Sequence, residues 1–148
     1  MENLLRNVKI TRISADGAGS ASATPTKATI VDMLGFESVM FVAAMGNVLD
    51  TSEVALKVAG SDANDTATMV LLAGSAGGTA SATTYDDKLV VLDVVKPRQR
   101  YLEAQIFHVT ADGPFDGIFA IQYNGRDKPV TQGSTVVASS TIYAPAAA

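Results

Sequence analysis

The chain has 148 residues, 47% apolar and only 6% aromatic, with 11 basic and 15 acidic side chains for a formal net charge of −4. That balance supplies no global positive field for a phosphate backbone, which argues against generic DNA or RNA binding. The absence of cysteine excludes disulfides, thiolate metal sites and thiol catalysis.

A chain of this length suits a single domain, 1–148, which buries roughly 70% of its unfolded surface and so builds a core without staples. Its apolar content leans on Ala and Val, with abundant Gly, Ser and Thr, a composition of strands and turns. The opening MENLLRNVKITRI threads charges among its apolar residues, unlike a signal peptide, and an N-terminal arm is expected over residues 1–6. No run of eighteen apolar residues occurs, so no membrane span is expected, and for a bacterial or viral chain synthesis in the cytoplasm is expected.

Residues 7–13 alternate with period two and predict a first strand. SADGAGSASATPT, residues 14–26, reads as a small-residue loop with nothing to pack. Residues 27–33 predict a second strand and Gly35 a turn. SVMFVAAM, residues 38–45, predicts a third strand, apolar on both faces and therefore expected to be buried on both. Asp50 and Glu53 stand at capping-box spacing, so one helical turn is expected before a strand over 55–59. ATMVLLA, 67–73, is a further apolar run, and GSAGGTASATTYDD, beginning at Gly74, reads as a loop. Residues 88–95, 100–109 and 115–123 predict three more strands. The polar tail, about 125–148, is expected to fray or to reach a neighbour.

Seven or eight strands with turn signals between them and no amphipathic helix predict an all-β fold. It is an antiparallel β-sandwich of jelly-roll or immunoglobulin-like type, with extended N- and C-terminal segments.

Between the strands at 88–95 and 100–109 lies the basic knot Lys96-Pro97-Arg98-Gln99-Arg100. Pro97 cannot donate to a ladder and disfavours helical geometry at Lys96, which places the knot at a bend or sheet edge. A solvated corner that discourages edge-to-edge pairing is the plainest reading. An interface anchored by Arg and Tyr101 comes next, and nucleic acid last, since three charges make a weak electrostatic footprint.

Catalytic and ligand motifs find no support. His108 is the single histidine and falls on the inward face of its strand (Leu102, Ala104, Ile106, His108), where a hydrogen-bonded structural histidine is commoner than a general base. No G-x-S-x-G occurs. Asp62, Asn64 and Asp65 resemble the start of a calcium loop, but Ala67 and Ala73 stand where Gly and Glu are needed. GAGS and GSAGG lack the Lys-Ser/Thr of a phosphate loop. The sequon Asn64-Asp65-Thr66 is a pattern that arises often by chance. No catalytic residue, metal or cofactor is therefore expected.

LLRNVKITRI, VDMLGFESVMFVAAMG, LVVLDVVKPRQRYLEAQI and FDGIFAIQYNGRDKPVTQGSTV resemble a family of small tailed-bacteriophage proteins, the decoration or cement subunits of the capsid. The resemblance runs from Leu4 to about Val137 and skips the Gly/Ser-rich segments. It implies a structural role on the capsid exterior, with the major capsid protein and further copies of the chain as partners, and neither nucleic acid nor membrane. Binding at symmetry axes of a closed shell favours a trimer over a dimer. A carbohydrate- or host-surface-binding sandwich and a head-tail connector or tail-tube subunit are the alternatives, the former weakened by the lack of Trp. By exposure and residue type, the expected contact residues are Leu4, Leu5 and Arg6, then Arg98, Arg100 and Tyr101, then Arg126, Lys128 and Tyr143.

Overall fold

A computed structural model describes residues 3–79 and 82–142. In chain order the elements are α1 (Leu4–Asn7), β1 (Lys9–Ser14), β2 (Ser22–Lys27), β3 (Val31–Asp32), β4 (Phe36–Met45) and β5 (Glu53–Ser61). A 3-10 turn (Thr66–Thr68) leads to β6 (Val70–Leu71), β7 (Ala76–Thr79), α2 (Ala82–Tyr85), β8 (Leu89–Val95), β9 (Tyr101–Val109) and β10 (Phe115–Gly125).

The strands form two antiparallel sheets facing one another. Sheet A has the order β1-β10-β4-β8, and sheet B the order β2-β9-β5-β6, with β3 also pairing β9 and β7 pairing β5. From β4 onward the long strands change sheet at each step: β4 in A, β5 in B, β8 in A, β9 in B, β10 in A. The protein is thus an all-β antiparallel sandwich whose sheet neighbours are mostly distant in sequence, as in jelly rolls.

Period-two alternation builds the core. Val39, Phe41, Ala43 and Met45 of β4 and Ile118 and Ala120 of β10 meet Val54, Leu56 and Val58 of β5 and Leu102, Ala104 and Ile106 of β9. Each large apolar side chain so buried contributes about 1.5–3 kcal/mol relative to exposure.

Several expectations change in three dimensions. The small-residue segment at 14–26 is not all loop: β2 pairs with β9, although its register shifts between Ser22 and Thr26. Part of the second Gly/Ser-rich segment likewise becomes β7, paired with β5 from Glu53↔Thr79 to Leu56↔Ala76. Both gain their strand geometry from a long neighbour's ladder, since Ala, Ser, Thr and Gly carry no apolar period of their own. The predicted strand at 27–33 splits between the end of β2 and the two residues of β3. At Asp50 and Thr51 the chain makes a tight turn with φ +70 at Thr51, in place of a helical turn. Of the apolar run at 67–73 only Leu72 packs against the core, while Val70 and Leu71 are 68% and 47% exposed. Strand β4 has one buried face only; Met40, Val42 and Ala44 lie half-buried on the outside of sheet A, because no second layer packs there.

Candidate interaction surface

The basic corner carries less free charge than its sequence suggests. Arg100 donates two parallel hydrogen bonds to Asp32, Nε to Oδ1 at 2.9 Å and Nη2 to Oδ2 at 2.8 Å, and its guanidinium lies 4.9 Å from the Tyr101 ring centroid. The Arg100 hydrogen bonds hold the Asp32 carboxyl below its ordinary range, partly offset by desolvation. Lys96, at φ +51, ends β8 and places its ammonium 3.6 Å from Glu37. Arg98 projects without a partner among the described residues. Two of the three cations are thus matched by acids far away in sequence.

The turn between β3 and β4 links this corner to the chain ends. The Met33 N–H donates to the Arg100 carbonyl and the Arg126 N–H to the Gly35 carbonyl, both at 2.8 Å, with Leu34 exposed at the tip. Lys128 precedes Pro129 across a cis peptide bond, and the Val130 N–H donates to the Arg6 carbonyl at 2.8 Å. Leu4, Leu5 and Arg6 belong to α1, where Leu4 is exposed and Leu5 half-buried. Backbone bonds thus join the turn to Arg100 and Arg126, and the residue after Pro129 to Arg6. Tyr143 lies outside the described residues.

Nor is the tail loose up to residue 142. Gln132 Oε1 accepts from the Ile10 N–H at 2.9 Å, while its Nε2 donates to the carbonyls of Leu5 at 3.1 Å and Val8 at 2.7 Å. Thr135 Oγ1 accepts from the Arg12 N–H at 3.2 Å, and Asn3 donates to Thr141 at 2.7 Å. The tail therefore covers the outer edge of β1, supplying acceptors to N–H groups that a further strand would otherwise use.

The two outer sheet faces differ in character. On sheet B the outer face is polar: Glu103, almost fully buried, accepts from Thr66 at 2.5 Å and Gln105 at 2.6 Å, with Lys27 3.9 Å away, and Lys57 lies 4.9 Å from the Phe107 ring centroid. This network, invisible in the sequence, fastens the loop containing Thr66 over β9. On sheet A the register aligns Ile10 with Ile121, Ile121 with Met40, Phe119 with Val42 and Val42 with Val91 on one outward face. Leu89, Val91 and Val95 continue it at 63%, 44% and 63% exposure. Tyr123 donates to both Asp93 oxygens, at 2.8 and 3.0 Å, across this face. Sheet A thus turns outward a half-exposed apolar face that becomes more exposed toward β8.

His108 falls on the core face as expected, but its ring is not hydrogen-bonded. It stacks on Phe115 at 6.0 Å between centroids, and neither ring nitrogen has a partner among the described residues. Two close backbones enclose it: the Gly113 N–H donates to the Gly19 carbonyl at 2.8 Å, and Gly19 has φ +54. A Cβ on Gly19 would come within 2.0 Å of the Gly113 carbonyl oxygen, so only glycine fits. Desolvation pushes the imidazole below its ordinary 6.5, opposed by the charge of Asp112. With the folded value lower, the unfolded chain takes up the proton first. This contribution to stability is full above about pH 6.5 and is lost as pH falls from there through the folded value. The wild type should therefore melt at lower temperature at pH 5 than at pH 7, and His108→Leu should show a flatter profile over that window. Asp32 acts in a separate one: its folded value is depressed below 3.8, so its share is present above that pH and lost below it. A wild-type melting temperature unchanged between pH 7 and 5 would contradict the buried neutral imidazole.

No protein-family model and no curated protein matches the chain. Among solved structures it is similar to a chain in the structure of infectious bursal disease virus, Gx strain, at 15% identity and a TM-score of 0.47, covering 82% of this chain and 34% of that one. The chain thus spans about a third of that relative's length. It is also similar to the Eiger TNF from S. frugiperda at 8% identity and a TM-score of 0.44, covering 85% of this chain and 99% of that one.

Proposed function

We propose that this chain is a non-enzymatic structural subunit of a bacteriophage virion, a decoration protein seated on the outside of the capsid. The carrying observation is the apolar outer face of sheet A, set on a sandwich whose opposite face is polar and knitted to its own loop. A rigid block with one sticky face suits attachment to a protein lattice, and the four quoted segments support that reading through their resemblance to decoration subunits. In this role the chain is made in the host cytoplasm and binds the major capsid protein, with self-association on the shell. The end carrying Arg98, Arg100, Tyr101, Arg126 and Lys128, with Leu4, Leu5 and Arg6 of the arm, supplies a polar rim. Neither nucleic acid nor membrane enters.

Purified protein added to capsids that lack it should cosediment with them at a fixed stoichiometry and raise their resistance to heat and low salt. Val42→Glu, which sets a charge in the middle of the apolar face without touching the core, should abolish cosedimentation while leaving the circular dichroism unchanged. Capsids that neither bind the wild type nor gain resistance from it would overturn the reading.

A further inference from the structure

We infer that the open edge of β8 is a self-association site that pairs antiparallel with β8 of a second copy of this chain. Sheet edges elsewhere are blunted. The tail covers β1, β2 contains Pro25 and a register shift, β3 and β6 have two residues each, and β7 is four residues long with two glycines and no large apolar side chain. Strand β8 alone is long, apolar and unpaired on one side among the described residues.

The hydrogen-bond phase defines what this edge offers. The Met45 N–H donates to the Lys88 carbonyl at 2.8 Å and Ala44 stands opposite Leu89, so Val90, Leu92 and Val94 bond to β4. Leu89, Val91, Asp93 and Val95 turn their N–H and C=O groups to the open side. Beside them a cleft of about 200 Å³ enters the sandwich between β8 and the segment at Leu72, lined by Val58, Leu72, Leu92 and Val94.

An occupant must be extended, apolar at alternate positions and without a charge facing Asp93. Strand β8 itself meets these conditions. With Leu92 on the two-fold axis, Leu89 pairs with Val95 of the second copy and Val91 with Asp93, so all four open residues find hydrogen-bonding partners and the two Asp93 carboxylates are offset. Leu92 then faces its own symmetry mate at the mouth of the cleft, and Val94, which also lines it, comes opposite the buried Val90. Lys88 comes opposite Lys96 at each end, where Lys96 already has Glu37 3.6 Å away. The apolar outer faces join into one eight-stranded sheet. This contact is isologous and closes at two; a trimer on the shell would use a different surface.

Analytical ultracentrifugation of the full chain over a hundredfold concentration range tests the pairing. The wild type should form dimers, and Val91→Pro should weaken them roughly tenfold or more. The Val91 N–H faces the open side, so proline there removes no bond to β4. As a second measurement that tolerates misfolding of that variant, Leu92→Cys should oxidise to a covalent dimer faster than Val94→Cys, since only position 92 meets itself. A wild type that stays monomeric, even if it captures a foreign apolar peptide, would overturn the inference. So would a dimer that Val91→Pro leaves intact, or equal cross-linking at 92 and 94.

Discussion

Phe41→Ala should destabilise the protein by about 3–5 kcal/mol, read as a shift of the urea midpoint at unchanged slope. Phe41 is fully buried at the centre of β4, paired with Ala120 of β10 on one side and Leu92 of β8 on the other, and it projects between the sheets. Truncation removes a ring from the middle of a close-packed layer that cannot collapse, because both flanking strands are pinned by their ladders. The neighbouring Val42→Ala tests the same geometry from the other side: Val42 lies on the half-exposed outer face, and its loss should cost about 1 kcal/mol or less. If Val42→Ala proved the costlier change, the assignment of inner and outer faces on sheet A would be wrong.

Gln132→Leu should cost about 2 kcal/mol and speed hydrogen exchange at the Ile10 amide. This one side chain makes three hydrogen bonds to the backbone of the arm and β1, each with a net worth of about 1 kcal/mol when partly buried. Losing them leaves the Ile10 N–H and the Leu5 and Val8 carbonyls to find water at an edge that the tail covers. Gln132→Glu should be at least as harmful, since a carboxylate keeps the acceptor for Ile10 but faces two carbonyl oxygens where the amide donated. Wild-type stability in both variants would mean that the tail hangs free of β1. The consequence for assembly is direct: with β1 capped from within, β8 is the flank of sheet A left open among the described residues.

The strands that carry the core were legible because their chemistry repeats every second residue. In residues 101–109 the inward set Leu102, Ala104, Ile106 and His108 can be read off the alternation alone, and the strand signals together imply two packed antiparallel sheets. Residues 38–45, apolar on both faces, were legible as a strand but not as to which face is buried, and that choice came from the pairing of the sheets. Strands β2 and β7 were illegible for the converse reason: Ser, Ala, Thr and Gly have no period, and pairing with β9 and β5 made them strands. The bulge in β1 between Arg12 and Ser14 also escaped, and there Ile13 is buried. Arg100 and Lys96 were visible as charges. Their neutralisation by Asp32 and Glu37 was not, because those acids lie more than fifty positions away.

Composition and alternation therefore determined, without coordinates, an all-β sandwich, a cysteine-free core and the inward place of His108. Only the tertiary structure decided that, among the described residues, the ring nitrogens of His108 have no partner, the tail covers one edge, and β8 leaves another open beside an apolar face. Side-chain period is a local property that each strand carries in its own residues. Sheet order, edges and charge partners arise between segments far apart in the chain, and the two sheets acquire them only when they close on each other.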